Sequence, residues 1–359
     1  MAQHFLLSPQ ARTVSILSVA SMSEKRAYAK LKRIIWDANG GKPICPHCGG
    51  ITHWEIEDDK KWRCLGCRKS FSLTSGTIFK DRKLSYRKLL TACVIFANGV
   101  MGVSACRLSR ELDITYKSAW VLLHKVREAM GLDEETAQLA GIVEIDGAVF
   151  GGSLPKLPNS KSLWDEFRKK NKVAAKKRQK LIVVMRERDD PQTGKTGKLR
   201  TFLLGKEGDA IEIARNILLP DTIVHADMSP QWEPLQLLFE TKRINHSEHF
   251  SHDGACTNMA ESFFERMRSA ERGVHKHISG AHLPRYAMEL AWKEQNRRVS
   301  NGSQAAMMIG AIGRAPPSKT LVGYWQGRKA KPVSNDNPPA SVNDQDDDDA
   351  IAYLTGRKA

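Results

Sequence analysis

The chain has 359 residues, long enough for about two or three domains with at least one substantial core. Its 41% hydrophobic fraction is ordinary for a globular protein, but its formal net charge of +16 is not. Such an excess attracts a polyanion, and nucleic acid is the commonest one. The last segment does not account for it: residues 331–359 hold three basic side chains against six acidic ones, so the positive charge belongs to the rest of the chain. No run of about 18 apolar residues is present to span a membrane. The first residues lack the basic start and apolar stretch of a secretory signal. The expectation is a cytoplasmic, nucleoid-associated protein with no membrane partner.

Residues 1–40 read as a helical lead-in, with Lys25 to Trp36 mixing basic and apolar residues at helical spacing. Residues 41–80 are turn-rich and carry Cys45-Pro-His-Cys48 and Cys64-Leu-Gly-Cys67, with 15 residues between the pairs. A Cys-x-x-Cys turn sets two thiolates on one side of a tight loop. Two such knuckles complete a tetrahedral site that suits zinc. Gly49, Gly50 and Gly66 supply the open backbone the knuckles need, and Trp62 fits a short strand of a zinc ribbon. A closed four-thiolate site leaves no open position for catalysis, so this Zn²⁺ is read as structural. Function enters through what the ribbon touches, and Lys60, Lys61, Arg63, Arg68 and Lys69 point to DNA. His47 and His53 are read as bystanders. The lone Cys93, Cys106 and Cys256 are most simply small buried hydrophobes.

Residues 81–135 have helical periodicity. Val103 to Leu112 reads as one helix, Asp113-Ile-Thr115 as a turn and Tyr116 to Met130 as a second helix capped by Thr115. Ala119, Leu122, Leu123 and Val126 form its apolar side. Lys117, Ser118, His124, Lys125 and Arg127 are assigned to the outer face. This is the pattern of a helix-turn-helix, whose second helix enters a major groove, or of a plain helical hairpin.

Residues 140–300 change period. Gly141 to Gly152 alternates like a strand, with Asp146 at its middle on the face opposite Ile145. Leu181 to Met185 and Leu199 to Leu204 read as strands, and Asp209 to Leu218 as a helix. Thr222 to Asp227 is a strand ending in an acid. A helix near Pro234 to Glu240, a strand near Arg243 to His246 and a helical stretch from Thr257 to Arg298 follow, with Glu261 in its first turn. An Asp inside an apolar strand is costly unless a partner or a metal offsets it. Carboxylates that converge raise one another's pKa, and Mg²⁺, which takes carboxylate oxygens, resolves this. Taken singly, each acid reads first as a solvated surface charge, Asp146 least so because strand interiors disfavour Asp.

The motifs together resemble a known family. Cys45 to Cys67 with Ser75-Gly-Thr-Ile-Phe79, Val143-Glu-Ile-Asp146 with Gly151-Gly152, Val224-His-Ala-Asp227 with Asn245-His-Ser247, and Thr257-Asn-Met-Ala-Glu-Ser-Phe263 occur in this order. So do Gly273-Val-His275, His282-Leu-Pro-Arg-Tyr286 and Asn296-Arg297. The chain looks like the DDE transposases of bacterial insertion sequences, in the ISXO-like group that carries an N-terminal zinc ribbon. The resemblance covers about residues 40 to 300. It implies an α/β (α+β) protein: a ribonuclease H-like mixed-sheet core preceded by the ribbon and a small helical domain. It further implies that Asp146, Asp227 and Glu261 bind Mg²⁺ or Mn²⁺, two ions in all, and catalyse cleavage and joining of DNA. Two positions depart from the pattern: Gly147 follows the first Asp where Glu is common, and Phe264 stands where Trp is common. Asn258 and Glu144 are alternative contributors to the metal site.

Arg168 to Lys180 is a dense basic run, readable as a solvated loop or as a phosphate contact. Arg266, Arg268 and Arg272 follow Glu261 and could position a DNA strand. His246, His249, His252, His275 and His277 cluster in sequence without being read as ligands. Residues 315–359 shift to Pro, Asn, Ser and Asp and read as a flexible acidic tail. The expected partners are the element's terminal inverted repeats, target DNA and a second copy of the chain, as a homodimer or larger assembly on DNA. A nuclease that cuts without joining and a non-catalytic DNA-binding regulator are the alternative functions.

Overall fold

A computed structural model describes residues 5–56, 60–134, 138–151, 179–190, 192–245 and 256–326. The expected contacts of the Arg168 to Lys180 run, apart from its last two residues, lie outside that set, as do His246, His249, His252 and the acidic residues of the tail. The described parts of Met1–Ala137, Asp189–Leu199 and Met288–Ala330 form one compact unit. Those of Gln138–Arg188 and Arg200–Ala287 form the other. No helix among the described residues is long and apolar enough to cross a membrane.

The first unit contains a three-stranded antiparallel sheet, β1 (His53–Ile56), β2 (Lys61–Cys64) and β3 (Ser70–Ser72), and a set of helices. Helix α1 is Ile16–Ala20 and α2 is Glu24–Ile35. Ser23 opens α2 by accepting from the Arg26 N–H at 3.3 Å, an N-cap that satisfies one orphan donor. Glu24 then reaches out of α2 and caps the next helix, accepting from the N–H groups of Tyr86 (2.6 Å) and Arg87 (3.0 Å). That helix, α3 (Tyr86–Asn98), is buried on nearly every side, as its run from Leu89 to Ala97, apolar except for Thr91, requires. Helices α4 (Ala105–Leu112) and α5 (Tyr116–Glu134) follow, and α9 (Asn301–Arg314) packs on α2, α3 and α5.

The two-helix reading of residues 103–130 stands, with Thr115 accepting from the Ser118 N–H at 3.2 Å. Its outer face needs correction. Lys117 and Ser118 are exposed, but His124 and Arg127 are buried. Arg127 is inside because Glu289 meets it at 2.6 Å and Phe96 lies under its guanidinium. A buried charge survives when it is paired. Cys106 is exposed, not buried, because it lies off the Leu108–Leu112 stripe of α4; Cys93 is buried as expected. Residues 315–326, expected as the start of a flexible tail, pack on α5: Ser318 donates to Glu128 at 2.9 Å, Leu321 is buried, and Tyr324 stacks on Trp120 at 4.7 Å.

The second unit is a five-stranded mixed sheet in the order β6-β5-β4-β7-β8. The strands are β4 (Ile142–Phe150), β5 (Lys180–Glu187), β6 (Leu199–Leu204), β7 (Ile223–Asp227) and β8 (Glu240–Ile244). Strand β4 pairs antiparallel with β5, with Asp146 opposite Val184. It pairs in parallel with β7 only over Ile142–Glu144, so Asp146 lies beyond the last β4–β7 pair. The order β6-β5-β4-β7-β8, with β4 antiparallel to β5 and parallel to β7, and β7 parallel to β8, is the ribonuclease H-like mixed sheet that the family resemblance implies.

Alternation along β4 divides its side chains between two layers. Val143 and Ile145 join the core formed with Ala210 and Ala214 of α6 (Ala210–Ile217), Trp232 and Leu235. Glu144, Asp146 and Phe150 belong to the opposite face, where Phe150 meets Phe264 of α7 (Asn258–Ala270) at 6.1 Å. Residues Pro230–Leu237 form a 3-10 helix in place of the helix expected near Pro234–Glu240, because Pro234 supplies no backbone N–H for a regular turn. Strand β8 accordingly starts earlier than expected. The helical stretch from Thr257 is also broken: α7 widens into a π-helical turn at Glu271–His275, Lys276 takes a left-handed backbone (φ 65°), and α8 is Leu283–Gln295.

Two candidate metal centres

The cysteine quartet is assembled by the ribbon sheet. In the first knuckle the Gly49 N–H reaches back to the Cys45 carbonyl at 2.9 Å, with Gly49 left-handed at φ 72°. In the second the Arg68 N–H does the same to Cys64 at 3.0 Å. The two knuckles bring Cys45 Sγ within 3.6 Å of Cys67 Sγ and Cys48 Sγ within 3.5 Å of Cys64 Sγ, and all four sulfurs lie within 4.8 Å of one another. A tetrahedral zinc with bonds of about 2.3 Å has sulfur–sulfur edges of about 3.8 Å, so the donor set and its spacing suit zinc. The site is shaped for sulfur: a Cβ on Gly50 would stand 3.3 Å from both Cys48 Sγ and Cys64 Sγ. The Cys67 N–H, opposed by burial, draws the Cys64 thiol down to about 7, while, against the Gly50 N–H, hydrogen bonds from the neighbouring thiols push Cys48 up to about 11. His47 is exposed and His53 lies edge-on to Phe71 at 6.0 Å; neither belongs to the quartet. Trp62 is buried beneath it among Tyr28, Trp36 and Phe71. Lys60, Lys61, Arg63, Arg68 and Lys69 are exposed around it.

The second centre is made of carboxylates. Asp146 comes from the middle of β4, Asp227 from the last residue of β7, and Glu261 from the first turn of α7. Asp227 and Glu261 lie near enough to Asp146 to act on its charge, while among the described residues the cysteine quartet is the one group whose ligand atoms all fall within 4.8 Å of one another. Burial, and then repulsion from Asp227, Glu261 and a further acid, Glu207, push the Asp146 carboxyl up to about 7, against the pull of the Gly147 N–H. That N–H donates to Asp146 Oδ1 at 2.7 Å, and the Ser229 N–H donates to Asp227 Oδ1 at 3.0 Å. None of Asp146, Asp227 and Glu207 is ion-paired with a described Lys, Arg or His. Carboxylate oxygens are the donors that a hard divalent cation takes.

Glu144 is only two residues from Asp146, yet its surroundings are the opposite. It is fully buried. One oxygen accepts from the N–H groups of Met259 (2.8 Å) and Ala260 (3.1 Å), the first turn of α7. The other accepts from Arg188 Nε at 3.0 Å and lies 3.7 Å from Cys256 Sγ. Glu144 is therefore a cap delivered from β4 to α7, with its oxygens already occupied by donors, and it anchors the helix turn that carries Glu261. Arg186 supports the same turn by donating to the Met259 carbonyl at 3.0 Å. Beside Glu144, burial, with Arg188 next, pushes His225 down to about 4, and its Nδ1 accepts from the Cys256 N–H at 3.3 Å. Cys256 is thus part of this network and is half-buried, which corrects its reading as a buried hydrophobe. Asn258 lies one α-helical turn before Glu261 and is exposed.

The three arginines after Glu261 differ among themselves. Arg272 pairs with Glu265 at 2.8 Å, and Arg268 stands 5.7 Å from the centre of the Phe150 ring. His275 packs against Tyr286 at 4.6 Å. Sequence reasoning missed Glu207 and the capping role of Glu144. The one signal for Glu207 was Gly147, since a glycine in a strand interior marks a close approach by another group.

Residues 138–295 match the ISXO2-like transposase domain, and residues 22–70 match the transposase zinc-ribbon domain. A protein of Halobacterium salinarum described as an uncharacterized protein in the transposable element ISH50 is 29% identical over 128 residues, which cover 35% of this chain. The aligned part spans 41% of that relative's length.

Proposed function

We propose that this chain, whose residues 138–295 match the ISXO2-like transposase domain behind a transposase zinc ribbon, moves an insertion sequence by cutting and joining DNA. It binds the element's terminal inverted repeats, cleaves their 3′ ends by hydrolysis and transfers them into target DNA. Asp146, Asp227 and Glu261 are the metal ligands. The observation that supports this reading is that Asp227 and Glu261 stand near enough to Asp146 to act on its charge, with Asp146 and Asp227 lacking any ion-pair partner among the described residues.

Two Mg²⁺ or Mn²⁺ ions bound there would activate the attacking oxygen and stabilise the leaving one. Asp146 and Asp227 present their carboxylates from fixed strand positions, and the Gly147 and Ser229 N–H groups orient one oxygen of each. Glu261 is set by the Glu144 cap on its helix. In the first step a water oxygen bonds to phosphorus and the element's 3′ oxygen leaves with a proton. In the second that 3′ hydroxyl attacks a target phosphodiester, loses its proton and expels the target's 3′ oxygen. The Cys45, Cys48, Cys64 and Cys67 site holds a structural zinc. The exposed cations around it, and Lys117 at the start of α5, bind DNA phosphates. Both ends must be held at once, so the working assembly on DNA is a dimer or larger.

The test is strand transfer in vitro with purified protein, labelled element ends, a supercoiled plasmid and Mg²⁺, beside Asp146→Ala. Joined products that vanish in the variant support the reading. Cleavage without joining identifies a nuclease. Specific end binding without cleavage, in Mg²⁺ and in Mn²⁺, identifies a DNA-binding regulator.

A further inference from the structure

Gly147 occupies an interior position of β4, where a side chain would ordinarily add packing and reduce chain entropy. The space it leaves is filled. A Cβ built on Gly147 would stand 2.7 Å from Glu207 Oε1 and 3.0 Å from Glu207 Cγ, closer than atoms pack. The Glu207 carboxylate thus lies against the bare backbone of the residue next to Asp146. A side chain at position 147 would make that carboxylate shift.

Glu207 is held by its own segment and by the Asp227 loop. The short turn Glu207–Asp209 is fixed by Asp209 accepting from the Lys206 N–H at 3.2 Å and by the Gly208 N–H donating to Gln231 Oε1 at 3.2 Å. Ser229 Oγ donates to Glu207 Oε2 at 3.4 Å, while the N–H of the same serine donates to Asp227 at 3.0 Å. One serine therefore ties the two carboxylates to each other, and one glycine ties Glu207 to Asp146. No described cation pairs with Glu207, although Lys206 is its neighbour in the chain and turns to Asp209 instead. A chain this basic has counter-charges to spare, so holding Glu207 unpaired beside two further acids costs stability that a bound cation would offset.

We propose that Glu207 is the fourth carboxylate of the divalent-cation site and binds the cation together with Asp227. The proposal rests on the reading that Asp146, Asp227 and Glu261 hold metal. It makes Gly147 a specificity position: the strand gives up its side chain there so that a carboxylate from the turn before α6 can enter. A carboxylate carried by residue 147 itself would reach the same space.

The experiment is Mn²⁺ titration of the zinc-loaded, full-length protein, followed by electron paramagnetic resonance of the free ion. Melting temperatures without and with Mn²⁺ are recorded beside it. Glu207→Gln is expected to weaken Mn²⁺ binding by about tenfold or more, the scale on which groups around a metal affect its affinity. The metal-free variant should melt at the same temperature or higher, because one repelling charge is gone, while the gain on adding Mn²⁺ shrinks. Gly147→Ala should weaken binding similarly by displacing Glu207, and should add nothing in the Glu207→Gln background. Moving the acid, in Gly147→Glu with Glu207→Ala, should restore binding. Unchanged Mn²⁺ affinity in Glu207→Gln, with binding lost in Asp146→Ala, overturns the role of Glu207 and leaves the site standing. Unchanged affinity in both variants overturns the site itself. A metal-free Glu207→Gln that melts lower, with the Mn²⁺ gain intact, shows a purely structural acid and also overturns the proposal.

Discussion

The two centres hold their ligands in opposite ways. The cysteine quartet is closed: four sulfurs face one point, with pairs at 3.5 and 3.6 Å, and the ribbon is built around them. The carboxylate centre is open. Its acids come from β4, the end of β7 and the start of α7, and they repel one another on a scaffold that stands without them. A group of ligands that is also the core of its domain supplies folding energy. A group of acids placed on a finished core supplies, in the proposed reading, chemistry at some cost to stability.

That contrast is broken or sharpened most strongly at the zinc. Chelation, or Cys64→Ser, should unfold the ribbon, because structural zinc contributes on the order of 10 kcal/mol in small zinc domains. Amide exchange across residues 53–72 is the measurement, and protection that survives chelation would break the contrast. Asp146→Ala should do the reverse. Joined DNA should fall by about a hundredfold or more, since even groups behind a metal's ligands cost up to that much. The metal-free melting temperature should hold or rise, as calorimetry would show.

Glu144→Ala tests the same strand two residues away. It leaves Arg188 and the first turn of α7 without their acceptor, and breaking a buried ion pair costs about 3 kcal/mol or more. Denaturant melts should show that loss in Glu144→Ala and a smaller one in Glu144→Gln. A loss no larger than that in Asp146→Ala would erase the distinction between a capping acid and a ligand.

The smallest effect is a pH slope. Asp146 titrates near 7 in the fold and near 3.8 in the unfolded chain, so the folded state binds the proton more tightly. Its ionisation is cost-free below about pH 4 and increasingly opposes folding up to about pH 7, beyond which the penalty is constant. Metal-free protein should therefore lose stability across that window, and Asp146→Asn should remove this part of the slope.

The two centres were not equally legible. Cys45 to Cys67 is a local signal, since each knuckle is four residues long and its spacing alone implies the geometry. The three acids are proposed from their order, from the oddity of Asp146 within a strand and from the family resemblance, and the sheet order sets β4 beside β7 as that reading needs. What stayed hidden depends on distant partners. Arg127 looks like an outer-face cation until Glu289 arrives from 162 residues away. Glu144 looks like a rival ligand until the turn at Met259 occupies it. Glu207 looks like a surface acid in a glycine-rich turn, and only the empty side of Gly147 reveals where its carboxylate goes. The 3-10 helix at Pro230–Leu237 was missed for a local reason, because Pro234 reads as the start of a helix whereas it lies inside the 3-10 segment.

The most direct measurement is anomalous scattering from Mn²⁺ soaked into crystals of the full chain, collected beside data at the zinc edge. The account predicts a zinc peak among Cys45, Cys48, Cys64 and Cys67 and manganese peaks among Asp146, Asp227 and Glu261. A zinc peak in place, with manganese absent from those carboxylates even with DNA ends bound, would contradict it.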